Sequence, residues 1–299
     1  MIETPLTKEK RLIRVRRYIS RMPSLSTTVT KVLQICNSPT TSPNDLNRVI
    51  SLDPVLTGRV LRLINSAYYA MPNQITSLTR AIIMLGLNTV KDLALSTAVL
   101  ESLGGSESFQ ALSMDDFWTH SICSGVTAKF LAGIKRVPPG DQEEYFVAGL
   151  LHDLGKIPLN NCFVEEYARV VESAKNENMP LHQAESTIFG IDHCMVGSMI
   201  AEKWQLSEAM NNSLYYHHNP NDAKEENHQL IAIVALANSY ANILDIGSSG
   251  DPHPDEQTVT DLLEKVEIDW SILADFRETV LNEIEKAKIF LQLTQKGTP

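Results

Sequence analysis

Val147-Ala148-Gly149-Leu150-Leu151-His152-Asp153-Leu154-Gly155-Lys156 lies at the middle of this 299-residue chain. Its apolar run reads as the end of a buried helix, from which His152 and Asp153 emerge just before the break at Gly155. One imidazole nitrogen and one carboxylate oxygen can share a cation there, and the second carboxylate oxygen remains for another. Lys156 carries the charge to neutralise an anionic group such as a phosphate.

Working outward, helical periodicity dominates and no run shows the strict alternation of a strand. Ser42-Pro43-Asn44-Asp45 reads as an N-cap, a proline at N1 and an acid at N3, opening a helix over Leu46, Val49 and Ile50. Asp53-Pro54 opens the next, and Gly86 closes a helix over Ala81, Ile82, Ile83 and Leu85. Asn88 is expected to cap a helix running to Gly104-Gly105. The Gly- and Ser-rich stretch 104–113 is the expected boundary between two helical lobes. Further helices are expected near 115–133, 142–153, 160–177, 192–204, 207–218 and 228–246, with a loop over 247–254. Leu273, Phe276, Val280, Ile284, Ala287 and Leu291 then mark a last amphipathic helix. The fold class is all-α.

Composition limits the function. Hydrophobic residues make up 43% and charged residues 21% of the chain, as in a folded globular protein. A net charge of −10 argues against a general nucleic-acid binder, which draws its affinity from phosphate neutralisation. Cys36, Cys123, Cys162 and Cys194 are widely spaced, without a C-x-x-C pair, and suit reduced, mostly buried thiols. The N-terminus lacks the apolar core of a signal peptide, and no run of about 18 apolar residues spans a membrane, so a cytoplasmic location without membrane insertion is expected. Lys8, Lys10, Arg11, Arg14, Arg16 and Arg17 crowd a short stretch with Leu12, Ile13, Val15 and Ile19. It reads as the solvated face of a first helix docked by its apolar side, in preference to an anionic-surface contact.

Other histidines lie where helices are expected. His120 falls within one, in Asp116-Phe117-Trp118-Thr119-His120-Ser121. His193 follows Gly190-Ile191-Asp192 at the start of another, and His217-His218 close a third. Side chains from separate helices can converge in a bundle interior to hold metal. A lone histidine beside apolar residues is ordinarily a hydrogen-bonded core residue, so the pairing of His152-Asp153 with His120 is what marks a site. His182, His228 and His253 stand in polar or loop contexts and are set aside.

Taken together, these residues resemble the HD superfamily of metal-dependent phosphohydrolases, and over a longer span its HDOD subgroup. Met22-Pro23-Ser24-Leu25, Ser51-Leu52-Asp53-Pro54-Val55-Leu56, Leu63-Ile64-Asn65-Ser66-Ala67 and Ala81-Ile82-Ile83-Met84-Leu85-Gly86 look like the HDOD N-terminal half. Trp118-Thr119-His120-Ser121, the Gly149–Lys156 stretch, Phe189-Gly190-Ile191-Asp192-His193, Trp204-Gln205-Leu206 and Tyr216-His217-His218 continue the pattern, which covers roughly residues 20–245.

The resemblance implies a multi-helix bundle of the HD type. A basic helix would occupy 1–19, an N-terminal lobe 20–106, an HD-like lobe 107–246, and amphipathic helices 255–295. It implies a role in bacterial signalling or regulation, in a family where many members have lost metal ligands and are regarded as non-catalytic. Carried over residue by residue, the metal positions would be His120, His152, Asp153, His193, His217 and His218, with a last ligand at or near Asn238. In catalytic relatives that position is Asp. A neutral amide offers an oxygen but no charge, and Asp245 stands as a substitute seven positions on. Asn219-Pro220-Asn221-Asp222 replaces the Gly-Tyr-Pro of the cyclic di-GMP phosphodiesterases. The expected function is therefore a regulatory module, non-catalytic or weakly active, holding one or two divalent ions (Fe, Zn, Ni or Mn) and contacting a protein partner. The alternatives are a phosphohydrolase acting on a nucleotide or cyclic nucleotide, in which Asp153 and Lys156 serve catalysis, and a sensor that binds a nucleotide without cleaving it.

Overall fold

The computed structural model describes residues 6–36, 38, 40–103, 111–252 and 254–290. Among them are α-helices and two short 3-10 segments, with no strand. The chain is all-α, a multi-helix bundle of the expected class. It divides into two compact units, each drawn from separated stretches. One comprises Met1–Met22, Glu107–Ser121 and Leu151–Glu267, and the other Pro23–Ser106, Ile122–Leu150 and Ile268–Pro299.

In the second of these units the helix signals act as their chemistry dictates. Asp45 and Ser42 form a capping box: the Ser42 hydroxyl accepts from the Asp45 amide, and the Asp45 carboxylate accepts from the Ser42 amide. Asp53 accepts from the Leu56 amide at 2.9 Å to open Pro54–Ile64. Leu46, Ile50, Val60, Leu63, Ile64, Val90 and Leu93 are fully buried. Each contributes about 1.5–3 kcal/mol of burial free energy. The helix expected to follow a cap at Asn88 instead starts at Leu87, as Leu87–Leu103, and places Asn88 within its first turn. Gly86, at φ +91°, ends the preceding helix so abruptly that the next begins at once. In Trp270–Ala287 the predicted stripe Leu273, Phe276, Val280, Ile284 and Ala287 is buried. Leu291 lies outside the described residues, as do 104–110 of the expected boundary and His253.

In the other unit, Lys8–Arg21 docks by Val15 and Ile19 against Lys156–Cys162 and His193–Trp204. Arg11 alone of its basic run is buried, donating to the Ile188 carbonyl and the Glu166 carboxylate at 3.0 Å each. The stretch read as one helix over 160–177 is two, Lys156–Cys162 and Val164–Glu177, broken at Phe163. Likewise Gln142–Leu151 stops two residues short of the expected end, leaving residues 152–155 as a turn. Among the described residues no single helix is long and apolar enough to cross a membrane.

Candidate metal centre

The 152–155 turn owes its shape to a close approach. A Cβ at Gly155 would lie 1.9 Å from the His193 carbonyl oxygen and 2.6 Å from the Gly197 amide, so only glycine lets the turn pack against the start of His193–Trp204. The approach brings Asp153 to His193. Asp192 fixes that helix start by accepting from the Met195 amide at 2.8 Å, which makes His193 the first helical residue. His217 caps the end of Glu208–Tyr216. His120 and Asn238 project from within Met114–Ile134 and His228–Ile243.

These elements bring the predicted residues together. Asp153 Oδ2 is 3.2 Å from His152 Nε2, and its Oδ1 is 3.3 Å from His193 Nε2 and 3.7 Å from His217 Nε2. His193 Nε2 lies 3.1 Å from His218 Nε2 and 3.4 Å from His217 Nε2. The rings of His120 and His152 are 5.7 Å apart. Asn238 faces the cluster, its Oδ1 2.9 Å from His120 Nε2. Asp245 is exposed and does not substitute for it. His120, His152, Asp153, Lys156, His193 and His217 are at most 1% exposed.

Two hydrogen bonds set which ring nitrogens face inward. His193 Nδ1 lies 2.7 Å from Glu185 Oε2, which also accepts the His193 amide at 2.8 Å. His217 Nδ1 lies 3.1 Å from the Leu214 carbonyl. Both Nδ1 atoms therefore point away from the cluster, and both Nε2 atoms point toward one another and toward Asp153. Asp153 Oδ1 is buried without a hydrogen-bond donor. Imidazole nitrogens converging beside a carboxylate oxygen gather around positive charge, a proton on His193 or a divalent transition metal that displaces it, for which imidazole with carboxylate is a donor set. The residues present fit such an ion.

Protonation follows the same layout. Burial, with His152 beside it, pushes His120 down to about 4, and burial holds His217 and His218 well below the usual range. At His193 burial opposes the charge, but the Glu185 carboxylate and Cys194 together outweigh it and raise the ring well above its ordinary value. Burial would raise Asp153, yet His152 and Lys156 hold it well below the carboxylate range.

Lys156 is fully buried and donates to Asp153 Oδ2 at 2.9 Å, Asp251 Oδ2 at 2.6 Å and the Ser249 carbonyl at 3.1 Å. Those three acceptors match its three protons, so in this arrangement none is directed at a substrate. The loop over 247–254 supplies two of them. It is seated by Gly247, at φ +66°, where a Cβ would meet the Asp116 carbonyl at 2.3 Å.

Several residues of the site were not signalled by the motifs. Glu185 orients His193, and Tyr167 donates to its other oxygen at 2.6 Å. Asp251 pairs with Lys156, and His182, set aside above, stacks on His218 with ring centres 4.1 Å apart. Cys194 Sγ lies 4.0 Å from His217 Nε2. Glu185 could have been found, since Leu181, Ala184 and Phe189 place it on a buried helical stripe.

The model of the HDOD domain family matches residues 22–220. An uncharacterized protein of Treponema pallidum (strain Nichols) is 28% identical over 251 residues, covering 82% of this chain and 46% of that protein. The chain thus spans about half the length of this curated relative. An HDOD domain protein of unknown function from Geobacter sulfurreducens superposes with a TM-score of 0.73 at 26% identity, covering 94% of this chain and 97% of that one. Two others share the fold. One is a candidate phosphohydrolase from Shewanella amazonensis SB2B, with a TM-score of 0.68, 22% identity, and 94% and 98% of the two chains covered. The other is a candidate signal transduction protein from Marinobacter aquaeolei VT8, with a TM-score of 0.70, 18% identity, and 97% and 66% covered.

Proposed function

The chain belongs to the HDOD domain family, and from that premise we propose that it is a non-catalytic, metal-braced signal-transduction module. The observation that carries the reading is the contact between His120 and Asn238. The Asn238 oxygen also accepts from Asn242 Nδ2 at 3.4 Å, so at 2.9 Å from His120 Nε2 it acts as an acceptor there too. The His120 nitrogen that would serve a metal thus carries a proton, and the residue opposite brings no negative charge. A two-ion hydrolytic centre is weakened at this corner, while the donors around His193, His217 and Asp153 remain intact. The saturation of Lys156 supports the same conclusion, because a phosphate-binding cation would have to abandon two buried carboxylates.

A divalent ion bound here would offset the charge of Asp153 and join the helices that carry His193 and His217. The output would then be a surface of stable shape offered to a protein partner in the cytoplasm. Metal analysis of the purified full chain, with thermal unfolding and a hydrolysis panel of phosphodiesters, nucleotides and cyclic dinucleotides, tests this. One transition-metal ion per chain, a chelator-sensitive melting temperature and background hydrolysis are expected. Asn238→Asp should raise the metal content towards two. Turnover by the wild-type protein that disappears in Asp153→Ala would overturn the reading in favour of a phosphohydrolase.

A further inference from the structure

One side chain at the cluster has no place in any HD-type ligand pattern considered above. Cys194 is buried, follows His193 as the second residue of a twelve-residue helix, and directs Sγ to 4.0 Å from His217 Nε2. Ligand atoms of His193, Cys194, His217 and His218 all lie within 4.8 Å of one another. For tetrahedral zinc, with metal–nitrogen distances of about 2.0–2.1 Å and metal–sulfur of about 2.3 Å, neighbouring nitrogens sit about 3.3 Å apart and nitrogen and sulfur about 3.6 Å. The observed separations are 3.1 and 3.4 Å between nitrogens and 4.0 Å from nitrogen to sulfur. Shifts of about 0.2–0.4 Å, apart for the closer nitrogens and together for nitrogen and sulfur, bring these three separations into range.

The ordinary alternative is a buried cysteine filling space as a small hydrophobe, which suits Cys123, fully buried where Cys194 is 6% exposed. Cys194 differs in its surroundings. It stands at a helix N-terminus with the ring nitrogens of three histidines beside it, and although burial raises its thiol above the ordinary value, a bound ion would displace that proton. We propose that the Cys194 thiolate is the fourth ligand of a closed tetrahedral His193–Cys194–His217–His218 centre selective for zinc-like ions. This rests on the metal-module reading and gives it a physical basis. A centre with four protein ligands keeps no open position for substrate or water, as in structural zinc sites. A thiolate also selects zinc or cobalt over magnesium or manganese. Asp153 Oδ1 faces the same two nitrogens and is the competing fourth donor.

Cobalt distinguishes them, because a thiolate ligand gives a sulfur-to-cobalt charge-transfer band in the near ultraviolet and a carboxylate does not. Co2+ is titrated into the reduced, chelator-treated full chain. Wild type should show that band together with the intense visible bands of four-coordinate cobalt. Cys194→Ser should lose the charge-transfer band and bind cobalt at least about 100-fold more weakly, since even residues behind the ligands cost about 10–100-fold. Cys162→Ser, a control in the same unit, should keep the band. Cobalt bound without the band, or a band that survives in Cys194→Ser, overturns the thiolate assignment and leaves the metal module standing. A wild-type chain that binds no cobalt overturns both.

Discussion

Lys156→Met removes the only lysine within the cluster and leaves Asp153 and Asp251 buried without it. In the native protein Lys156 lies 2.9 and 2.6 Å from these carboxylates, at 0% side-chain exposure, against 0% and 5% for the acids. Its charge stands despite burial because the two carboxylates hold its pKa above the usual range. Burial would raise Asp251, but Lys156 holds it down to about 2, below the unfolded value near 4. Asp251 therefore contributes stability that is fully present above about pH 4 and is lost as the pH falls through about 2. That contribution is about 2–3 kcal/mol at neutral pH. Removing one partner of a buried pair costs about 3–5 kcal/mol. At about 2–4 °C per kcal/mol for a protein approaching this size, Lys156→Met with chelator at pH 7 should melt about 6–20 °C lower. Without the lysine the carboxylates resist ionisation, so the deficit should shrink as the pH falls from 7 towards 4. Saturating zinc, which binds both proteins, should raise the stability of each by about 4 kcal/mol at 1,000 times Kd. Thermal and urea unfolding across this pH range read all three effects. A variant within about 1 kcal/mol of wild type at pH 7, or a deficit that does not depend on pH, would refute the reasoning.

Glu185→Gln keeps the shape of the residue that orients His193 but withdraws its charge, and should weaken zinc binding about 10–100-fold in a competition titration while the protein stays folded. Asp92→Asn tests the other unit, where burial raises the Asp92 carboxyl to about 7 despite Lys91. Its folded pKa lies above its unfolded one, so the native state binds the extra proton and stability falls as the pH rises from about 4 to 7. The variant should match wild type near pH 3, below the unfolded pKa, and exceed it increasingly up to pH 8, as denaturant midpoints will show.

Much of this site is legible in the sequence because each histidine sits beside a local signal. Asp192 caps the helix that starts with His193, Gly155 breaks the chain after His152-Asp153, and the doublet His217-His218 follows the end of Glu208–Tyr216. The helix bounds failed where the backbone turns without a glycine, proline or capping side chain, as at Phe163, where φ −135° and ψ 46° break a stretch with continuous helical pattern. Asp251 was hidden for a different reason. It lies 95 residues from Lys156, in a loop without periodicity, and only its pairing distance of 2.6 Å gives it a role.

Cys194 and His182 show the limit most sharply, because each had a sound local reading that tertiary contact overrode. A widely spaced cysteine is correctly read as a buried thiol, and burial is what the structure gives it. What the sequence does not specify is the direction of Sγ, which depends on helix Glu208–Tyr216 returning His217 to within 4.0 Å. A metal centre assembled from helix ends is a property of pair distances. Sequence spacing predicts such distances within a helix, where residues three and four apart share a face, and loses them across each intervening turn. The ligands carried by a family pattern are recovered for that reason. A candidate ligand outside the quoted motifs becomes visible only when the ends meet, so Cys194 is where measurement on this protein says most.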